Sequence, residues 1–197
     1  MTIVSLPASA FPPIALGFFG LATGYLIYGP QELFGSPKRD PQVNLATGVW
    51  GIWMPGFLQF LTGTYLFAGL VWFHTFTAGP LYMAALAFTS YGVHWFAIGY
   101  NRSKGADPRP NGYMAISFSF ISLLGLIVFY HVGDWPVGTL FLGLLLVYIA
   151  DIFATFKIGG DIGERALGFL HIITGAWLIY LMYAATLNFA LGFHLAL

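Results

Sequence analysis

The chain has no cysteine. That excludes disulfides, thiolate metal sites and cysteine nucleophiles. It is also poor in charge. Only 7% of its 197 residues are Asp, Glu, Lys or Arg, where a soluble domain carries about 25%. Such a chain cannot cover itself with water-seeking groups, so much of its surface must face lipid. Seven cations balance seven anions, which leaves no basic footprint for a nucleic acid. The opening stretch "MTIVSLPASAFPPIALGFFG" has no basic n-region. It is therefore not read as a cleaved signal, and the first apolar run is expected to remain as a membrane helix. There is no nucleotide-binding loop, no Ser-His-Asp pattern and no row of intramembrane acids. No two histidines have helical metal-ligand spacing. These gaps argue against catalysis, primary pumping, a metal site and a cofactor.

What fills the chain is apolar: 58% hydrophobic residues, with 19% aromatic. A membrane helix needs about 20 mostly apolar residues. Segments 13–29, 46–73, 79–100, 112–132, 136–156 and 166–192 qualify. The expected fold is all-α, a single polytopic domain spanning 1–197, with no room for a soluble domain. The breaks are "GPQELFGSPKRDPQ" (29–42), "HTFTAGP" (74–80), "NRSKGADPRPN" (101–111), "HVGDWP" (131–136) and "KIGGDIGER" (157–165). All seven cations fall in the first, third and fifth breaks: Lys38 and Arg39, then Arg102, Lys104 and Arg109, then Lys157 and Arg165. By the positive-inside rule these loops are cytoplasmic and both termini lie outside a plasma (inner) membrane. Glycines recur within the first, second and last segments, where small residues let helices approach closely in lipid.

The polar residues inside the spans are few. Thr89, Ser90, Tyr91 and His94 interrupt "ALAFTSYGVHWFAIGY" (85–100). Tyr91 lies at mid-span, where a large ring with a polar tip can narrow a path and bond a passing molecule. The hydroxyls of Thr89 and Ser90 face a pore or bond back to the preceding turn. Gln59 bridges helices or meets a solute. Asp151 is the single acidic residue within a segment as drawn. It either reaches water and pairs with Lys157 or Arg165, or serves as a proton-sensitive group at the cytoplasmic mouth. His94 and His171 are either packed and satisfied or part of a proton-linked path.

Several stretches carry a resemblance. "GIWMPGFLQFLTG" (51–63), through Gly51, Ile52, Gly56, Gln59 and Gly63, is similar to the second helix of the acetate uptake transporter family, also called the succinate–acetate permease family. "AFTSYGVHWF" (87–96) resembles its third-helix signature. "GFLHIITGAWLIYLMYAATLN" (168–188) resembles its last helix, and "PPIALGFFG" (12–20) a degraded form of its N-terminal motif. The resemblance implies a homohexameric ring with one pore per six-helix protomer. It also implies passage of acetate or a related small monocarboxylate, often proton-linked. Its constriction of bulky side chains maps onto Leu21, Tyr91 and Leu145. The family's acid after the second-helix motif is Leu66 here, and its members keep both termini in the cytoplasm. Outside termini are instead like those of the acid-activated urea and amide channels, whose second helix begins like "QVNLATGVW" (42–50). A urea or short-amide channel is therefore an alternative, and a non-transporting subunit of a larger membrane assembly is another.

Overall fold

The computed structural model describes residues 11–197, with side chains from residue 13 onward; residues 1–10 of the N-terminal reading lie outside it. The described residues form six long helices: α1 (Phe11–Leu33), α2 (Pro41–Trp72), α3 (Pro80–Lys104), α4 (Arg109–His131), α5 (Trp135–Thr155) and α6 (Asp161–Leu191). The last five are long and apolar enough to cross a membrane. The first has 23 residues, about 34 Å at roughly 1.5 Å per residue, against a hydrocarbon core of about 30 Å. The chain is a polytopic helical membrane protein.

Helix ends depart from the sequence reading for local reasons. α1 runs past Pro30 to Leu33, so Gln31 and Glu32 are helical rather than part of a loop. α2 begins at Pro41 because Asp40 caps it: its carboxylate accepts from the N–H groups of Gln42 and Val43 at 2.8 and 2.9 Å, and proline suits the first helical position. α3 continues to Lys104 and stops at Gly105, whose φ of 65° closes the helix in the left-handed region. α6 starts at Asp161, within the glycine-rich stretch read as a loop.

Pro55 sits inside α2. It lacks an N–H, and its ring crowds the preceding turn. The helix widens there into a π-helical turn over Ile52–Phe57, and again over Ala68–Trp72. The first widened turn packs on the glycines of α1. A side chain at Gly20 would meet the Met54 carbonyl at 2.6 Å, and one at Gly24 the Pro55 ring at 2.6 Å.

Neighbouring helices close a ring. α1 packs on α6 and α2; α2 packs on α3, α3 on α4, α4 on α5, and α5 on α6. Two of these seams are backbone against backbone. On the α2–α3 seam, Gly48 faces Gly99, Gly63 faces Thr89 and Gly92 faces Phe60; on the α1–α6 seam, Gly168 faces Gly29 and Leu33. In lipid, close packing of this kind takes the place of the hydrophobic force that holds soluble helices together. Outward faces carry exposed Trp50, Trp53, Trp72, Tyr113 and Phe120. Residues of α1, α3, α5 and α6 turn inward and line a lumen.

Gly92→Ala tests the seam, because its Cβ would lie 2.5 Å from the Phe60 nitrogen and 2.8 Å from its Cα, both backbone. The prediction is a loss of about 1–3 kcal/mol, the usual cost of overpacking, read as a lowered thermal midpoint in detergent. Gly79→Ala, with open space around it, should leave the midpoint unchanged. Equal midpoints for both variants would contradict the seam.

Candidate functional site

Two cavities lie end to end in the lumen. One, about 160 Å³, opens toward the end bearing Ile14 and Leu197. It is lined mainly by apolar side chains, with Phe18 and Leu21 from α1, Ala84, Ala87 and Tyr91 from α3, and Leu144 from α5. A cavity of about 150 Å³ holds benzene in a soluble protein, so a small organic solute fits. The other, about 430 Å³, opens toward the cationic loops and is lined by Arg39, Arg102 and Lys157 among others. The three cation-bearing breaks thus sit together at one end of the bundle. Among the described residues, the cavities share no lining residue. Only about one helical turn separates them on three helices: Leu21 from Tyr25, Tyr91 from His94, Leu144 from Tyr148. That layer, which separates the two cavities, is the candidate constriction.

Tyr91 is 3% exposed and faces inward. Its hydroxyl is committed. Ser122 on α4 donates to the Phe118 carbonyl at 2.8 Å, so Tyr91 donates to Ser122 Oγ at 2.9 Å. The ring stacks on Tyr148 at 5.7 Å and tilts against Phe118 at 5.6 Å. Tyr91 therefore works as a fixed aromatic wall rather than a free hydrogen-bonding tip. Leu21 and Gln59 join it around the termini-side cavity. Gln59 is fully buried, and neither amide atom has a partner among the described residues.

Three other expected pore residues lie elsewhere. Leu145 lines neither cavity; its predecessor Leu144 does. One residue turns a helical side chain by about 100°, enough to take it off the lumen. Thr89 packs into the notch at Gly63 on α2, and its Oγ1 has no partner among the described residues. Ser90 also lines neither cavity.

The wider cavity is polar. His171 Nδ1 on α6 lies 2.5 Å from Glu32 Oε2 on α1, and both side chains are more than nine-tenths buried. Tyr25 covers the imidazole at 4.4 Å between ring centres. Asp151 accepts from Thr155 Oγ1 at 3.0 Å, and forms no ion pair with Lys157 or Arg165 among the described residues. Glu32 corrects the reading of Asp151 as the sole acid within a helix. Arg102 donates to Gln31 and lies 4.5 Å from the Tyr28 ring centre. Gln31 in turn donates to Thr47 at 2.9 Å. His94 Nδ1 meets the Tyr148 hydroxyl at 3.1 Å, leaving Nε2 without a partner among the described residues.

The sequence reading missed Glu32, Ser122, Tyr148 and Asp134. Tyr148 follows Leu144 by one turn on the same face, a signal that was present. Asp134 lines the termini-side cavity and caps α5 through the Val137 N–H at 3.1 Å. Partial burial raises its carboxyl above the usual range, with the backbone bond acting against the shift.

No protein-family model matches the chain, and no curated protein matches it. Its three-dimensional structure does find a match. The bacterial acetate channel SatP superposes with a TM-score of 0.74 over 91% of this chain and 94% of that one, at 19% sequence identity. The chain shares that channel's fold. At this identity the likeness speaks for architecture, and SatP is a channel for acetate in a frame built on the same plan.

The buried Glu32–His171 contact ties α1 to α6. Breaking a buried pair from one side costs about 3–5 kcal/mol, because the remaining partner is left uncompensated. Glu32→Gln and His171→Phe should each lower the thermal midpoint in detergent, and the double variant should lower it by less than the sum. Additive losses in that double-mutant cycle would mean the two side chains are not coupled.

Proposed function

We propose that the chain forms a membrane channel for acetate or a related small monocarboxylate, with the path running inside each protomer. The observation that carries this reading is the paired cavity. An apolar chamber of about 160 Å³ ends on Tyr91 and an unpartnered Gln59 amide, and a polar vestibule of about 430 Å³ begins one turn beyond. The fold shared with an acetate channel supports it, as does the sequence resemblance of α2, α3 and α6.

The chemistry follows from the lining. Moving an ionised carboxylate through an apolar layer without compensating bonds is costly. The constriction offers Leu21, Leu144 and the Tyr91 ring, and among the described residues no Lys or Arg lines the termini-side cavity. The neutral acid crosses such a layer far more easily than its anion. Proton linkage then falls to the ionisable groups of the vestibule: Glu32, His171 and Asp151. The Asp134 carboxylate at the termini-side cavity also discourages anion entry from that end.

The protomers assemble as a hexameric ring in the plasma (inner) membrane, as the sequence resemblance implies. The cationic loops face the cytoplasm and both termini face outside, by the positive-inside rule. This arrangement is opposite to that of the acetate uptake transporters. A urea or short-amide path is tested by the same experiment.

Labelled acetate and labelled urea are offered to proteoliposomes holding the full chain. Acetate flux should exceed urea flux and rise as external pH falls. Tyr91→Ala should admit larger monocarboxylates. Tyr91→Trp should cut acetate flux about tenfold or more, the kinetic equivalent of about 1.4 kcal/mol of added barrier. Urea flux without acetate flux would make the chain an amide channel, and no flux of either would leave a structural subunit.

A further inference from the structure

Four buried side chains carry polar atoms without a partner among the described residues: Tyr28, Gln59, Thr89 and His94. Two of them turn their polar atoms into helix seams, although the Tyr28 ring also lines the vestibule. The Tyr28 hydroxyl lies 2.9 Å from where a Cβ on Gly51 would stand, and Thr89 fills the notch at Gly63. The other two line the lumen on opposite sides of the constriction, Gln59 in the apolar chamber and His94 in the vestibule. Buried polar atoms are nearly always bonded, and an exception calls for a ligand or another explanation.

The Tyr148 hydroxyl lies 3.1 Å from His94 Nδ1, and either atom can donate across that contact. Where Tyr148 donates, the ring hydrogen resides on Nε2. The ring is clamped by Phe118 at 4.8 Å and by Tyr148 at 5.6 Å. His94 is 7% exposed. A rigid imidazole with an unpartnered Nε2 therefore stands one helical turn past Tyr91, on the vestibule side.

We propose that His94 is the solute-receiving residue on the vestibule side of the constriction. With Tyr148 donating to Nδ1, the His94 Nε2–H takes a carboxyl oxygen of the short monocarboxylic acid as that oxygen leaves the Gln59 amide. The inference rests on the channel reading above and names the selecting residue beyond the constriction. A neutral donor suits both the acid and its anion. It holds neither as tightly as a cation would, which permits onward release toward Arg102 and Arg39. Gln59 and His94 thus place one polar station on each side of an apolar layer too thin to need a third.

The test is labelled-acetate uptake into proteoliposomes across a range of acetate concentrations, for the wild type, His94→Phe and His94→Gln. Phenylalanine keeps the ring packing and loses the donor. The half-saturating acetate concentration should rise about five- to tenfold in His94→Phe, the worth of one net hydrogen bond. His94→Gln, with an amide N–H, should return it to within about twofold of the wild type. Should His94→Phe not fold, Tyr148→Phe gives a second reading. Losing the phenol donor frees the tautomer, and the half-saturating concentration should rise. Saturation unchanged in whichever of these two variants is read, or equal impairment of His94→Phe and His94→Gln, overturns the assignment while leaving the channel. Absence of acetate flux in the wild type overturns the channel reading and this inference with it.

Discussion

Six long helices enclose a lumen only if their seams are tight enough to seal it. In lipid no hydrophobic force draws helices together, so the seal must come from close packing. Here it comes from glycine. A Cβ on Gly63 or Gly92 would run into the backbone of the facing helix, and one on Gly168 would run into Gly29 and Leu33. Bulky residues are thereby kept off these seams and sent in two other directions. Trp53, Trp72, Tyr113 and Phe120 face outward, while Leu21, Tyr91, Leu144 and Leu178 face in. The widened turn at Pro55 serves the same end. It presents Met54 and Pro55 so closely to Gly20 and Gly24 of α1 that a Cβ on either glycine would clash.

Once the ring is closed, the lumen divides by chemistry. The termini-side chamber is apolar except for Gln59 and the Asp134 cap. The vestibule at the other end gathers Glu32, Asp151, His94 and His171 together with Arg39, Arg102 and Lys157. The layer between is about one helical turn thick. Hydrogen bonds hold it in shape rather than lining it: Tyr91 is anchored to Ser122 and stacked on Tyr148, and Tyr148 is anchored to His94. On the proposed path a solute would meet the faces of these rings and not their hydroxyls. Such a path would discriminate by size and by charge, because the thin apolar layer penalises an ion far more than a neutral acid.

Much of this was legible in the sequence, and the remainder was hidden for identifiable reasons. Helix number and order followed from runs of apolar residues and their breaks. Tyr91 and Gln59 were legible as mid-span residues whose polarity is hard to place against lipid, and Leu21 came from the family resemblance; all three line the termini-side cavity. Leu145 missed by one position, since an apolar helix such as α5 shows little polar pattern from which to read its phase. The Thr89 hydroxyl was read as facing the lumen or bonding back to its own helix, yet the side chain packs into the notch at Gly63 on another helix. Glu32 was hidden by Pro30, which suggested a loop where the helix continues. Its partner His171 lies 139 residues along the chain, a distance over which no local pattern reports.

The absence of native cysteine offers a direct test of the central claim, that solute passes inside the ring. Single cysteines are placed at Ala84 and Ala87, which line the termini-side chamber, and at Leu86, which faces outward between them. A small, charged, membrane-impermeant thiol reagent is then added from the side bearing the termini, and acetate flux is followed. The account predicts that Ala84→Cys and Ala87→Cys react and lose flux, while Leu86→Cys keeps it. Flux that survives modification at both lumen positions, or that falls only with Leu86→Cys, would contradict a path through the protomer.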